Sequence, residues 1–88
     1  MARDTLRVEH DPDADAVYVY LASDPETRVA DTRELDASRM VDYAADGSVI
    51  GIEFLWVSEG VLLDGVPRAA AVAQALQRAG INTIQPVP

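Results

Sequence analysis

Apolar and polar residues alternate along much of the chain between Thr5 and Val57, and this two-residue period is typical of β-strands that bury one face. Thr5 to His10 follows the pattern and predicts a first, half-buried strand. An Asp-Pro-Asp turn comes next at positions 11–13, where proline fixes its own φ and aspartate side chains accept hydrogen bonds from nearby amides. Ala16 to Leu21 then predicts a second strand.

The second strand is apolar or aromatic on both of its faces. Val17, Val19 and Leu21 fall on one face, whereas Tyr18 and Tyr20 fall on the other. Strands that bury both faces lie in the middle of a sheet, so we predict a central position for this one.

Three further strands are predicted before position 58. Arg28 to Leu35 is the weakest of them, and its charged residues suit an exposed edge. Arg39 to Tyr43 and Ser48 to Val57 are joined by Ala44-Ala45-Asp46-Gly47, and an Asp-Gly pair between alternating segments is typical of a hairpin. One face of the last strand predicts the centre of the core, and it is formed by Ile50, Ile52, Phe54 and Trp56.

A helix is predicted from Asp64 to Ala79, with Asp64 as its N-cap, Pro67 in its first turn and Gly80 as its stop. Its apolar stripe is rich in alanine and consists of Val66, Ala69, Ala70, Val72, Ala73, Leu76 and Ala79. Residues 81–88 form either a short edge strand or a tail. We therefore predict one α+β domain over residues 1–88, in which an antiparallel meander sheet of four or five strands carries one C-terminal α-helix packed on one face.

Composition narrows the classes of function. The 88 residues carry a net charge of −8, which disfavours binding to nucleic acid or to an anionic membrane surface, although it would attract a basic protein. The chain has no cysteine, which excludes disulfides and thiolate metal sites, and no lysine, which excludes Schiff-base chemistry. Because Arg3 and Asp4 precede any apolar run, we expect no signal peptide and a cytoplasmic location.

Candidate catalytic and metal-ligating residues are few. Asp11, Asp13 and Asp15 alternate like calcium ligands, but Ala16 and Ala22 stand where an EF-hand loop needs glycine and glutamate, so we interpret these acids as turn caps.

Two other candidates are the single histidine and one pair of acids. His10 cannot form a multi-histidine metal site within one chain, and no motif marks a nucleophile for it to activate. Asp42 and Glu53 could be an acid–base pair, but in a simple register Asp42 lies across from Val49, and surface charge explains both residues better. We predict no catalytic, cofactor-binding or metal-binding residues and a non-enzymatic protein.

The large aromatic residues suggest an interaction surface. The central strands are apolar on both faces, and one alanine-rich helix covers only one of them, so the remaining apolar surface should contact another chain or a ligand. Our leading hypothesis is a self-associating interaction domain, a homodimer through the uncovered sheet face or an edge. The candidate interface residues are Val17, Val19, Tyr18, Tyr20 and Trp56. The alternatives are an acidic partner of a basic protein, and a metal- or small-ligand-binding domain.

Two segments resemble a known family. His10-Asp11-Pro12-Asp13-Ala14-Asp15-Ala16-Val17-Tyr18-Val19 is similar to the opening pattern of the family called domain of unknown function 2283. Val41-Asp42-Tyr43, Asp46-Gly47 and Val49-Ile50-Gly51-Ile52-Glu53 resemble its second half, so the resemblance spans residues 5–58.

The resemblance implies a small prokaryotic antiparallel β-domain of unassigned activity, with no catalytic residues to transfer. Some members are encoded beside small toxin-like proteins, so the resemblance implies a form of the second hypothesis: an acidic antitoxin-type partner that binds and masks a basic toxin-like protein. His10 stands where the family usually has tyrosine.

Overall fold

A five-stranded antiparallel sheet forms the framework of the chain in the computed structural model, which describes residues 6–84. Its strands are β1 (Arg7–Asp11), β2 (Ala16–Tyr20), β3 (Asp31–Asp36), β4 (Arg39–Tyr43) and β5 (Val49–Leu55). A 3-10 turn (Val57–Glu59), β6 (Val61–Leu62), helix α1 (Ala69–Arg78) and β7 (Thr83–Ile84) follow. The predicted α+β class, with its antiparallel sheet and C-terminal helix, is confirmed.

The strand order is β1-β2-β5-β4-β3, which differs from an unbroken meander because β2 pairs with β5. The polarity of the strands explains this order. β2 is apolar or aromatic on both faces and takes a central place, whereas every residue of β3 is exposed at the edge. The connection at 21–30 carries the chain from the centre of the sheet to that edge, and its Leu21 and Ala22 amides both donate to the Ile50 carbonyl.

One face of the sheet packs against the C-terminal segment. Val17 and Val19 on β2 alternate into this core, opposite Phe54 and Ile52 on β5. The helix contributes side chains that are at most 2% exposed, namely Val72, Ala75 and Leu76. Ala75, which the predicted stripe does not include, is buried and lets the helix lie close to the sheet, whereas Ala70 and Ala79, which the stripe includes, face the solvent.

Helix α1 begins at Ala69, five residues later than the sequence pattern predicts. Arg68 adopts a left-handed conformation with φ of 52°, and no right-handed helix passes through such a residue. Asp64 therefore lies in a preceding turn and is not the N-cap. The predicted end is correct: Gly80 has φ of 78° and donates to Gln77, while the Ile81 amide donates to Leu76.

Trp56 is 51% exposed, so its predicted place in the core is wrong. The preceding strand ends at Leu55, and Trp56 itself is left-handed with φ of 53°, which breaks the alternation that would have turned its ring inward. Ile50, Ile52 and Phe54 are buried as expected.

The residues after the helix form a short strand. Thr83–Ile84 pairs in parallel with Val61–Leu62. Thr5 of the predicted first strand and positions 85–88 of the predicted tail lie outside the described residues. Within residues 6–84, no helix is both long and apolar enough to cross a bilayer.

A buried arginine joins the sheet to the segment that precedes the helix. Arg39 is 7% exposed, and its Nε and Nη2 atoms donate to Oδ2 of Asp36 at 3.0 and 2.8 Å. Its Nη1 atom donates to the carbonyl oxygens of Leu62, at 3.0 Å, and of Asp64. One guanidinium thus holds the β3–β4 turn and the chain after β6 together.

We expect Arg39→Met to destabilise the fold by about 1–3 kcal/mol, because it removes the guanidinium that donates to two carbonyl oxygens and to Oδ2 of Asp36. Urea unfolding of both proteins measures the change in the free energy of unfolding. The matched control is Arg33→Met, which removes an exposed ion pair with Asp31 and should change stability by less than about 0.5 kcal/mol. Equal effects of the two substitutions would contradict the role given to Arg39.

Asp36 should make the stability depend on pH at the acid end. Hydrogen bonds from Arg39, and then from Ser38, lower the pKa of Asp36 from 3.8 to about 2. A lowered pKa stabilises the fold above the unfolded value of 3.8, and this contribution disappears as the pH falls through about 2. In urea unfolding between pH 5 and pH 2, Asp36→Asn should therefore flatten the loss of stability seen in the parent. Parallel curves would show that the Arg39 bonds do not perturb this carboxyl.

Candidate functional site

The second face of the sheet is not covered by any element within residues 6–84, and we call it the open face. Its members follow from the strand register and the alternation of side chains. They are Arg7, Glu9, Asp11, Ala16, Tyr18, Tyr20, Thr32, Glu34, Met40, Asp42, Gly51, Glu53 and Leu55. In this part of the chain five carboxylates and one guanidinium therefore surround two tyrosines.

The ring of Tyr18 lies across the backbone of Gly51 on the neighbouring strand. A Cβ atom placed on Gly51 would come within 2.4–2.7 Å of three Tyr18 atoms, Cε1, Oη and Cζ. In the register, Tyr18 is opposite Glu53, so its ring leans along β5 to reach Gly51. The missing side chain at position 51 makes the space that this ring occupies.

Because the ring crosses β5, its hydroxyl reaches β4. Tyr18 donates to Oδ2 of Asp42 at 2.6 Å, and Thr32 on β3 donates to Oδ1 of the same carboxylate, also at 2.6 Å. Burial, and then the bond to Asp42, raise the pKa of Tyr18, so the phenol stays protonated at neutral pH. Both oxygens of Asp42 are thus occupied by donors from the chain itself.

A second group on the open face contains a bound guanidinium. Tyr20 donates to Oε1 of Glu9, and Arg7 donates to Oε2 at 2.8 Å. The guanidinium carbon of Arg7 also lies 4.4 Å from the centroid of the Tyr20 ring, within the range of a cation–π interaction. Hydrogen bonds from Tyr20, and then from Arg7, lower the pKa of Glu9 and keep it ionised.

The open face contains a groove of about 550 Å³ beside the ring of Tyr18. Its acidic lining comes from Glu9, Asp11 and Glu53, and its apolar lining includes Ala16 and Leu55. The remaining lining residues are His10, Ala14, Val17 and Tyr18. Glu53 is half-buried, and no residue within 6–84 donates a hydrogen bond to its carboxylate. A cation in the groove would therefore find a carboxylate that accepts no hydrogen bond from residues 6–84.

The predicted interface residues do not share one surface. Val17 and Val19 are 1% and 0% exposed on the core face, so the folded chain cannot offer them to a partner. Tyr18 and Tyr20 lie on the open face, with ring centroids 4.7 Å apart. Trp56 is exposed beyond the end of β5 and outside that face.

The acids of the β1–β2 turn have structural contacts. Oδ1 of Asp11 accepts hydrogen bonds from the Asp13 and Ala14 amides at 3.1 and 3.2 Å. Asp15 accepts the Ser58 amide at 2.9 Å and the Ser58 hydroxyl at 2.6 Å, which joins the turn to the 3-10 turn after β5. Among the residues that the structure describes, no group of three or more histidine, cysteine, aspartate or glutamate side chains could hold a metal ion.

The other chemical candidates also have particular places. Asp42 lies opposite Gly51, because an extra residue, Ile50, shifts the register, so the predicted pairing of Asp42 with Val49 is wrong. Its occupied oxygens leave it poorly suited to act as a base. His10 lines a cavity of about 300 Å³ with Ser58, but the hydroxyl hydrogen of Ser58 is already donated to Asp15.

We expect Gly51→Ala to destabilise the protein by about 1–3 kcal/mol, because the new methyl group overlaps the Tyr18 ring. A double-mutant cycle measured by urea unfolding tests the cause. In the Tyr18→Ala background, Gly51→Ala should lower the free energy of unfolding clearly less than it does in the parent, because the ring that the methyl group overlaps is absent. In the Tyr18→Phe background, where the overlap with Cε1 and Cζ remains and only that with Oη is lost, Gly51→Ala should still lower the free energy of unfolding by most of what it does in the parent. Additive effects in both cycles would contradict the contact.

The comparison with known families gives one match. The family described as "Protein of unknown function (DUF2283)" matches residues 7–58, which include all five strands of the large sheet and the whole open face. No curated protein and no solved structure matches the chain. Helix α1 lies outside the matched region. Because the match covers more than half of the 88 residues and agrees with the resemblance seen in the sequence, the chain belongs to the DUF2283 family of proteins of unknown function.

Proposed function

We propose that this chain is a protein-interaction domain whose open face binds a positively charged segment of another protein. The observation that carries the proposal is the charge of that face. Within residues 6–84, its carboxylates are Glu9, Asp11, Glu34, Asp42 and Glu53, and its one guanidinium, Arg7, is already bound to Glu9.

The remaining composition of the open face also suits binding to a protein. Tyr18 and Tyr20 supply large, rigid surfaces, and aromatic residues are enriched at the centres of interfaces. The net charge of −8 would attract a basic partner before contact and raise the association rate at low salt.

Charge also distinguishes this proposal from self-association through the same face. A two-fold dimer brings identical patches together, so the acids of one copy would meet the acids of the other. Like charges brought together in this way oppose association. The apolar surplus expected on this side is also smaller than the sequence suggests, because Tyr18 and Tyr20 bond to carboxylates through their hydroxyls. Self-association through an edge strand stays a prediction.

The antitoxin-type role is a narrower form of the same proposal. It requires that the basic partner be a small toxin-like protein whose activity is masked when the open face binds it. The charge complementarity that supports the broader proposal supports this form equally, and the identity of the partner would decide between them.

A basic peptide tests the proposal directly. We expect a peptide of alternating basic and Gly-Ser units to bind the chain at 50 mM salt, and to bind more weakly at 300 mM, because salt screens exposed charges. Isothermal titration calorimetry measures the affinity. The double variant Glu34→Gln/Glu53→Gln should weaken binding about fivefold or more, since both carboxylates lie on the open face and neither has a donor within the described chain.

The matched control is Glu26→Gln/Glu59→Gln, which removes the same charge from a loop and from the 3-10 turn. It should change the affinity by less than about twofold. Equal losses in the two double variants, or no binding at low salt, would overturn the proposal. Light scattering of the chain alone, at both salt concentrations, checks that binding does not compete with dimer formation. A dimer that Glu34→Gln/Glu53→Gln strengthens would place a self-interface on the open face.

A further inference from the structure

We propose that the groove beside Tyr18 seats an arginine side chain of the basic partner, with its guanidinium against the Tyr18 ring and hydrogen-bonded to Glu53. This inference rests on the proposed function and specifies the partner residue that the open face recognises. It distinguishes arginine from lysine, which charge alone does not.

The chain itself shows how this face holds a guanidinium. Arg7 stacks on Tyr20 at 4.4 Å and donates to Glu9, so an aromatic ring and a carboxylate from adjacent strands bind one guanidinium together. Tyr20 and Glu9 thus form a guanidinium-binding site on the open face, and Arg7 of the same chain occupies it.

The neighbouring tyrosine has the same kind of surroundings without the cation. Tyr18 is the register partner of Glu9 on β1 and of Glu53 on β5, so a carboxylate lies on each side of it. Glu9 is engaged by Arg7 and Tyr20, whereas Glu53 has no hydrogen-bond donor among residues 6–84. A half-buried carboxylate without a hydrogen-bond donor is costly, and a guanidinium from outside would supply the missing bonds.

The groove has the volume and lining for the rest of an arginine side chain. Its volume of about 550 Å³ exceeds that of one side chain, and Ala16 and Leu55 offer apolar contact for the methylene stem. Tyr18 lies across Gly51 and also lines the groove, so its ring is fixed beside the space that the guanidinium would fill.

Arginine fits this site better than lysine for three physical reasons. The guanidinium is planar and stacks on an aromatic ring, it offers paired N–H donors to one carboxylate, and it is less strongly hydrated than an ammonium group. A lysine would gain the charge interaction with Glu53 and lose the stacking.

Three matched peptides test the proposal. All three have the same Gly-Ser framework. One carries three arginines, one three lysines and one three citrullines; citrulline is neutral and close to arginine in shape. By titration calorimetry at 50 mM salt we expect the arginine peptide to bind at least about threefold more tightly than the lysine peptide, and the citrulline peptide not to bind detectably. In NMR titrations the amide shifts on binding should centre on Tyr18, Glu53 and Leu55.

Two variants test whether the preference for arginine over lysine arises in the groove. Glu53→Gln should weaken the arginine peptide more than Glu34→Gln does, since both remove one charge from the open face and only Glu53 lines the groove. Tyr18→Leu should remove the preference for arginine over lysine while leaving the charge unchanged. Circular dichroism checks that each variant is folded. If Tyr18→Leu does not fold, the comparison of Glu53→Gln with Glu34→Gln decides whether the groove binds arginine.

The possible failures separate the two proposals. Equal affinities for the arginine and lysine peptides, or equal losses of affinity in Glu53→Gln and Glu34→Gln, would overturn the proposed arginine site and leave the basic-partner proposal standing. Failure of both charged peptides to bind would overturn both. Arginine methyl ester binding as tightly as the peptide would assign the groove to a free small molecule and overturn the inferred protein segment.

Discussion

The ring of Tyr18 rests on the bare backbone of Gly51, and the arrangement of the open face depends on this contact. A Cβ atom at position 51 would overlap the ring where it now lies, so the ring and its hydroxyl bond to Asp42 on β4 would have to shift. Asp42 in turn accepts the hydroxyl of Thr32 on β3. Because glycine has no side chain, polar groups from β2, β4 and β3 therefore join across the sheet, on the face that no other element within residues 6–84 covers.

Six of the acids fall into two groups, according to whether a side chain within residues 6–84 donates a hydrogen bond to them. Asp42, Glu9, Asp15 and Asp36 accept hydrogen bonds from the chain's own side chains, so their charges stabilise the fold. Glu53 and Glu34 have no such donors among residues 6–84, although they lie on the same face as Asp42. The acidity of the chain is thus more than a means of solubility, because part of it is built into the sheet and part remains available to a cation.

The sequence predicts those features that depend on neighbouring residues. The alternation of Val17 and Val19 with Tyr18 and Tyr20 assigns the faces of β2 correctly, because a two-residue period needs no knowledge of the partner strand. The stop at Gly80 is likewise local. The alternation places Trp56 in the core wrongly, because Trp56 itself is left-handed and the alternation of faces stops there. The neighbouring residues give no sign of this change in backbone conformation.

Contacts between distant segments could not be predicted in the same way. The sequence pattern identifies Asp15 only as one acid of an Asp-rich turn. In the structure its carboxylate accepts a hydrogen bond from the amide of Ser58, 43 positions away. Arg39 reads as a strand end, yet it is buried against the carbonyls of Leu62 and Asp64. Gly51 lies inside a predicted strand, where glycine often marks the close approach of another group. That signal could have pointed to Tyr18.

The residues matched by the family and the residues that cover the core are separate along the chain but form one structure. The matched region, 7–58, supplies every strand of the large sheet, including the face that carries Val17, Val19, Ile52 and Phe54. Those side chains are buried against Val72, Ala75 and Leu76, which lie beyond it. Arg39 links the matched region to the covering segment by hydrogen bonds to Leu62 and Asp64. In this chain the helix therefore completes the core on one side of the sheet, and the carboxylates and tyrosines of the open face lie on the opposite side.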